Sequence, residues 1–173
     1  MTTDIRAFDS DLEIGEEAEK ELKRIILSKD RTALVRKVDH IKNGYDLHLT
    51  HMIGSEAIEV RIEVKSLAGG YPTGVIEQWA NDARTVRPHW MKMGDTDRLY
   101  FKNRKENMWY VYDAVEVANW IKEQPESNIR ANNNCKDDSG WILKFNWEPS
   151  TNSGYNRSYR MPGFIRKFKG EQI

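Results

Sequence analysis

The sequence predicts a mixed α/β fold, a central sheet flanked by helices, and three observations carry that prediction. Residues 10–29, "SDLEIGEEAEKELKRIILSK", space their apolar residues as a helix does, and residues 58–65, "IEVRIEVK", alternate with the period of a strand. The remaining segments read in the order helix, several strands, helix, strand. No internal repeat or composition break divides the 173 residues. A single domain over 1–173 is therefore expected, with 148–173 a basic and aromatic C-terminal extension.

In the first helix Ser10 followed by Glu13 forms a capping-box pattern, and Leu12, Ala18, Leu22, Ile25 and Ile26 mark the apolar stripe. Glu19 borders that stripe instead of facing open water. Next, "RTALVRKVD" reads as a strand, "HIKNG" as a turn, and "YDLHLT" as a second strand with Tyr45, Leu47 and Leu49 on one face. The loop "HMIGSEA" leads into the strand at 58–65, where Glu59, Arg61, Glu63 and Lys65 share one face and Ile58, Val60, Ile62 and Val64 the other. If the two strands pair as an antiparallel hairpin with apolar faces aligned, Asp46 and His48 share a face with Glu63 and Lys65. Aspartate is a poor strand residue, so Asp46 calls for a reason.

"SLAGGYPTG" is a glycine- and proline-rich connection, "VIEQW" an apolar segment of ambiguous type, and "NDARTVRPHWMKMGD" irregular or partly helical. "DRLYF" and "MWYVYD" read as strands around the polar turn "KNRKEN". Asp113 with Glu116 then caps a helix through "AVEVANWIKEQ", which Pro125 ends. After the polar loop "ESNIRANNNCKDDSG", "WILKFNW" is read as the last strand.

Composition narrows the function. Lys+Arg and Asp+Glu are both 27, so no global field draws the chain to nucleic acid or an anionic membrane. That counts against a non-specific coat protein but not against an enzyme whose acidic site offsets a basic rim. Six Trp, seven Tyr and five Phe suffice for a core. The single cysteine, Cys135, excludes an internal disulfide and a cysteine zinc site, which fits a reducing compartment. The acidic start lacks a long apolar run and no segment approaches the ~20 apolar residues that span a bilayer. A soluble, cytoplasmic protein without a signal peptide is expected.

Asp46, then Glu63-x-Lys65 seventeen residues later, preceded by an acidic helix with Glu19, resembles the PD-(D/E)xK nuclease superfamily, the restriction-endonuclease-like fold. "IGEEAEKELKRII", with Glu19 four residues after Gly15, is similar to the first helix of archaeal Holliday-junction resolvases. "IEVKSLAGGYPTGVIEQW" resembles phage-encoded members in which E-x-K is followed by a Thr-Gly pair, here Thr73-Gly74, and a glutamate, here Glu77. The resemblance covers roughly 10–122, and no proline precedes Asp46.

The resemblance implies a Mg²⁺- or Mn²⁺-dependent endonuclease acting on DNA in phage recombination, repair or junction resolution, in the host cytoplasm if phage-encoded, with a homodimer as the usual assembly. Carboxylates from neighbouring strands suit a hard divalent cation, which assigns Asp46 and Glu63 as metal ligands. Lys65 acts on the attacking water or the phosphate, Glu19 serves a second metal or orients Lys65, and Glu77 or Gln78 is a further candidate ligand. The competing reading makes Glu63 and Lys65 a surface ion pair. His40 and His48 are taken as ordinary hydrogen-bonding residues and left out of the site. Clustered carboxylates are expected to repel one another without metal, so neutralising one should relieve strain. In the extension, Arg157, Arg160, Arg166, Lys167 and Lys169 alternate with aromatics, a pattern suited to phosphate contact and base stacking. Lys23, Arg24, Arg36 and Lys37 offer a second basic rim. Two other classes stay open: a nuclease-like module that binds nucleic acid without turnover, and a plain α/β interaction protein.

Overall fold

The computed structural model describes residues 3–71, 73–79, 88–131, 140–148 and 159–172, for some of them, such as 3–11 and 77–79, the backbone only. In chain order the elements are α1 (Thr3–Lys29), β1 (Leu34–Lys37), α2 (His40–Asn43), β2 (Leu47–Ile53), β3 (Glu56–Leu67), β4 (Thr73–Trp79), α3 (His89–Met93), β5 (Arg98–Asn103), β6 (Met108–Asp113), α4 (Ala114–Glu123), β7 (Ile129–Ala131), β8 (Gly140–Asn146) and β9 (Phe164–Lys169). The fold is mixed α/β. A central mixed sheet of order β1-β2-β3-β5-β6-β9 is flanked by helices, as the sequence predicts.

All neighbours in this sheet are antiparallel except β3 and β5. A parallel pair needs a long crossover, and residues 68–97 supply it, carrying β4 and α3 on the way. One face of the sheet packs Val35, Leu47, Ile62, Val64, Tyr100 and Val111 against Ala18, Leu22 and Ile25 of α1. The other packs Leu99, Phe101, Tyr110 and Tyr112 against α4, Trp90 of α3 and the inner residues of a second sheet.

The second sheet, order β4-β8-β7, was not legible in the sequence. "VIEQW" is a strand that pairs with "WILKFNW", and part of the polar loop after α4 is its third strand. The sequence also understated three other elements. Helix α1 begins at Thr3, so Ser10 is an interior residue and not a cap. The β2–β3 hairpin is longer than expected, closed by the two residues Gly54 and Ser55 between paired Ile53 and Glu56. The C-terminal basic stretch supplies β9, which completes the central sheet against β6. Asp113 does cap α4, accepting from the amides of Val115 and Glu116.

A buried network ties the C-terminus to α1. Lys102, only 6% exposed, donates to both oxygens of Glu21 at 2.9 and 2.8 Å and to Asn107 at 2.5 Å. Glu21 also accepts from the Glu171 amide at 2.7 Å, and Asn107 donates to the Glu171 carbonyl at 3.0 Å. Gly170 passes through this knot with no room for a side chain, since a Cβ would overlap Asn107 and Lys102. Removing one partner of a buried ion pair strands the other. Lys102→Ala is therefore expected to lower stability by about 3–5 kcal/mol in chemical denaturation, and Gly170→Ala to lower it measurably by displacing the same atoms.

Candidate metal centre

The candidate site sits where two strands of unequal length part. Pairing of β2 with β3 ends at Leu47 opposite Ile62, while β3 continues to Leu67 beside β5 alone. The Asp46 amide still donates to the Ile62 carbonyl at 2.9 Å. The next amide on that edge, Val64 N–H, has lost its strand partner, and the Asp46 carboxylate accepts from it at 2.8 Å. That is the reason for the aspartate: it stands just before β2, not within a strand as the sequence reading had it, and satisfies a frayed ladder. The same register places Asp46 opposite Glu63.

Glu63 is wholly buried, and among the described residues neither of its oxygens has a hydrogen-bonding partner. Two cations approach it instead. Lys65 Nζ lies 2.6 Å from Glu63 Oε1, with its side chain half-exposed to the cleft. His40 Nδ1 lies 3.4 Å from Glu63 Oε2 and 3.3 Å from Asp46 Oδ1, close enough for ion pairing but without hydrogen-bond alignment to either. Ligand atoms of His40, Asp46 and Glu63 all fall within 4.8 Å of one another. The set fits a divalent cation: two carboxylates and an imidazole converge, and the buried Glu63 oxygens are met by ion pairs without aligned hydrogen bonds.

The charges settle accordingly. The facing Asp46 and Glu63 carboxylates push the His40 imidazole up to about 10, against the opposing effect of burial. Burial alone would raise the Asp46 carboxyl, but His40, Lys65 and the Val64 amide together hold it below the ordinary carboxylate range. That direction runs against the expectation that neutralising Asp46 relieves strain, since the charged form is the favoured one beside His40 and Lys65.

Glu19 lies at the margin. It reaches the same cleft from α1, and Lys37 pairs with it at 3.1 Å and with Glu16 at 3.5 Å. Burial and the nearby Asp46 charge raise the Glu19 carboxyl, partly offset by Lys37. The cleft, about 510 Å³, is lined by Gly15, Glu16 and Glu19 of α1, Lys37 through Ile41, Asp46, and Val64 through Ser66. Glu77 and Gln78 lie on β4 in the second sheet, opposite Ile142 and Trp141, and their side chains are outside the described residues. His48 belongs to another neighbourhood, 3.1 Å from the Tyr45 hydroxyl and 3.5 Å from Glu59.

Of the basic residues, Arg157 lies outside the described residues, as does Cys135, the single cysteine. Arg166 and Lys169 are exposed on β9, and Arg160 is exposed just before it. Lys167 pairs with Glu148. Arg24 is engaged by Glu171 at 3.0 Å.

His40 is the residue that sequence reasoning set aside. A signal was present in "VDHIKNG": an aspartate cap and a glycine five residues apart bracket a one-turn helix. Asp39 accepts from the Ile41 and Lys42 amides, and Gly44 closes α2 at φ 74°. The expected turn is therefore a helical turn that folds back over Asp46.

Comparison with protein-family models and with curated proteins returns no match. Among solved structures, the chain is similar to D212, a nuclease from a fusselovirus, with 15% identity and a TM-score of 0.42 over 77% of this chain and 82% of that one. Among the described residues no helix is long and apolar enough to cross a membrane.

In metal-free protein the two shifts bound a pH window. His40, raised from 6.5 to about 10, stabilises fully below pH 6.5 and loses that contribution as pH rises toward 10. Asp46, lowered from 3.8, stabilises above that value and loses its contribution as pH falls through the folded one. Thermal unfolding in EDTA should show a gap between wild type and His40→Gln that is widest below pH 6.5 and closes by about pH 10.

Proposed function

We propose that this chain is a metal-dependent endodeoxyribonuclease of the restriction-endonuclease-like, PD-(D/E)xK kind. The observation that carries the reading is the wholly buried Glu63 carboxylate facing Asp46 across the strand mouth, met only by the ion pairs of Lys65 at 2.6 Å and His40 at 3.4 Å among the described residues. A fully desolvated carboxylate is costly unless a cation answers it.

Asp46, Glu63 and His40 would hold the ion. Carboxylates suit Mg²⁺ or Mn²⁺, and an imidazole donor moves preference toward the transition metal. Bound there, the cation would lower the pKa of an attacking water and offset charge on the phosphate. Lys65, half-exposed beside Glu63, would set a positive charge against the scissile phosphate. Glu19, its carboxyl raised, is placed to accept a proton or bind a second ion at the cleft margin. Arg166 and Lys169 on β9 are proposed phosphate contacts, with Arg157, Arg160 and Lys167 as further candidates. DNA is the proposed substrate, in recombination, repair or junction resolution, with a dimer as the proposed assembly.

One observation favours a second reading. His40 and Lys65 together answer the charges of Asp46 and Glu63, so the cluster is balanced without metal. A nuclease-like module that binds nucleic acid without cleaving it would show this arrangement.

The two part on measurement. For the nuclease, Mn²⁺ raises the thermal midpoint and supports nicking of supercoiled plasmid, and EDTA abolishes both. Glu63→Gln and Asp46→Asn should reduce cleavage by at least a hundredfold with the fold intact, while Lys65→Ala abolishes cleavage but leaves the Mn²⁺-induced shift largely in place. Wild-type protein with neither shift nor nicking on supercoiled, linear, single-stranded or branched DNA supports the second reading.

DNA binding has its own test. Deleting the C-terminal stretch would remove β9 from the sheet, so substitution is the cleaner probe. Arg166→Ser with Lys169→Ser should flatten the dependence of log affinity on log salt by about one to two units of slope. An unchanged slope would remove both residues from the interface.

A further inference from the structure

The third residue of the metal cluster rests on an element too short to hold it. Helix α2 is a single turn of four residues, and an isolated turn of that length has no stability of its own. Its orientation, and hence that of His40, must come from outside. The segment 89–96 provides it at three points. His89 Nε2 lies 3.0 Å from the Ile41 carbonyl, the Thr96 hydroxyl donates to the Gly44 carbonyl at 3.2 Å, and Met93 packs against Gly44. A Cβ at Gly44 would come within 2.5 Å of the Met93 Cβ, so the two short helices meet in close contact. The His89 ring also lies 5.2 Å from the His40 ring, tilted by 53°.

The hydrogen bond fixes the chemistry of His89. A carbonyl only accepts, so Nε2 carries the proton and donates to Ile41, one residue beyond His40. His40 offers Nδ1 to both carboxylates. His89 thus touches the ligand's ring and its backbone without ligating: the three ligand atoms that converge are those of His40, Asp46 and Glu63.

We propose that His89 is a positioning residue of the metal centre, fixing the ring and backbone of His40 so that Nδ1 closes the site formed by Asp46 and Glu63. This rests on the metal-binding reading above. It extends the site to a residue 49 positions away in the chain, across the β3–β5 crossover. The crossover then serves two ends: it makes the parallel pair possible, and it clamps α2 over the strand mouth. Partners that orient a ligating histidine characteristically change metal affinity by ten- to a hundredfold when removed.

The test is a Mn²⁺ titration by calorimetry of EDTA-stripped, dialysed full-length protein, paired with thermal unfolding in EDTA. His89→Ala is expected to weaken Mn²⁺ binding by about tenfold or more while the metal-free midpoint stays near wild type. His89→Gln, whose amide can donate to the Ile41 carbonyl, is expected to recover most of the affinity. In a His40→Ala background, where the group being positioned is gone, His89→Ala should add nothing further to the Mn²⁺-induced thermal shift. Wild-type affinity in His89→Ala would overturn the proposal, and so would a loss that persists in the His40→Ala background, which would make His89 a ligand. If His89→Ala fails to fold, His89→Gln decides: near-wild-type affinity supports the proposal and a tenfold loss overturns it. Wild-type protein that binds no Mn²⁺ would sink the metal reading and this inference with it, whereas wild-type binding with no effect at His89 sinks the inference alone.

Discussion

A wholly buried carboxylate needs opposite charge beside it, and that need at Glu63 organises its neighbours. Its position follows from the sheet: β3 outlasts β2, and Glu63 is the first residue beyond the last paired position, Ile62. Asp46 satisfies the Val64 amide exposed by that mismatch, and in doing so brings a second carboxylate to the same spot. Two anions in a low-dielectric site require cations, and Lys65 and His40 converge on them. A hydrogen-bonding need and an electrostatic one thus meet at one strand mouth, and the arrangement leaves ligand atoms aimed at a common point.

The framework around that point is rigid where it must be. Helix α1 presents Glu19 to the cleft with Ala18 and Leu22 locked into the core. Two residues further along, Glu21 is gripped by Lys102 and the C-terminal backbone, so the helix is anchored on both sides of Glu19. The end of the chain, β9 and the residues after it, therefore belongs to the structure that holds the site, whatever part its basic side chains take in contacting a polyanion. The opposite flank is lighter. There α2 depends on its caps and on the segment 89–96, which makes His40 the member of the candidate cluster most exposed to changes elsewhere.

Much of the fold could be read from local pattern. The period of two in 58–65 and the cap at Asp113 act within a few residues and appear as expected, while the polar turn read at 102–107 is shorter, 104–107, because Lys102 and Asn103 are buried residues at the end of β5. The second sheet escaped because its strands are separated by up to some sixty residues and their inner residues pack with α4 and Tyr112, a context the local sequence does not carry. The start of α1 escaped for a different reason: Ser10 and Glu13 form a cap pattern that a longer helix overrides.

Sequence by itself determined that Glu63 and Lys65 share a face, because strand alternation follows from apolar spacing, and it set Asp46 beside them on the condition that the two strands pair as a hairpin. It also placed Glu19 beside a packed stripe. Only the tertiary structure decided that Glu63 is wholly buried, with β5 paired beside it and His40 of α2 against its carboxylate. Only the tertiary structure could recruit His40, whose side chain reaches the carboxylates through a single helical turn held by residues 49 to 56 positions away. Local propensity sets which face a residue takes; which charges meet on that face is fixed by contacts between segments distant in the chain.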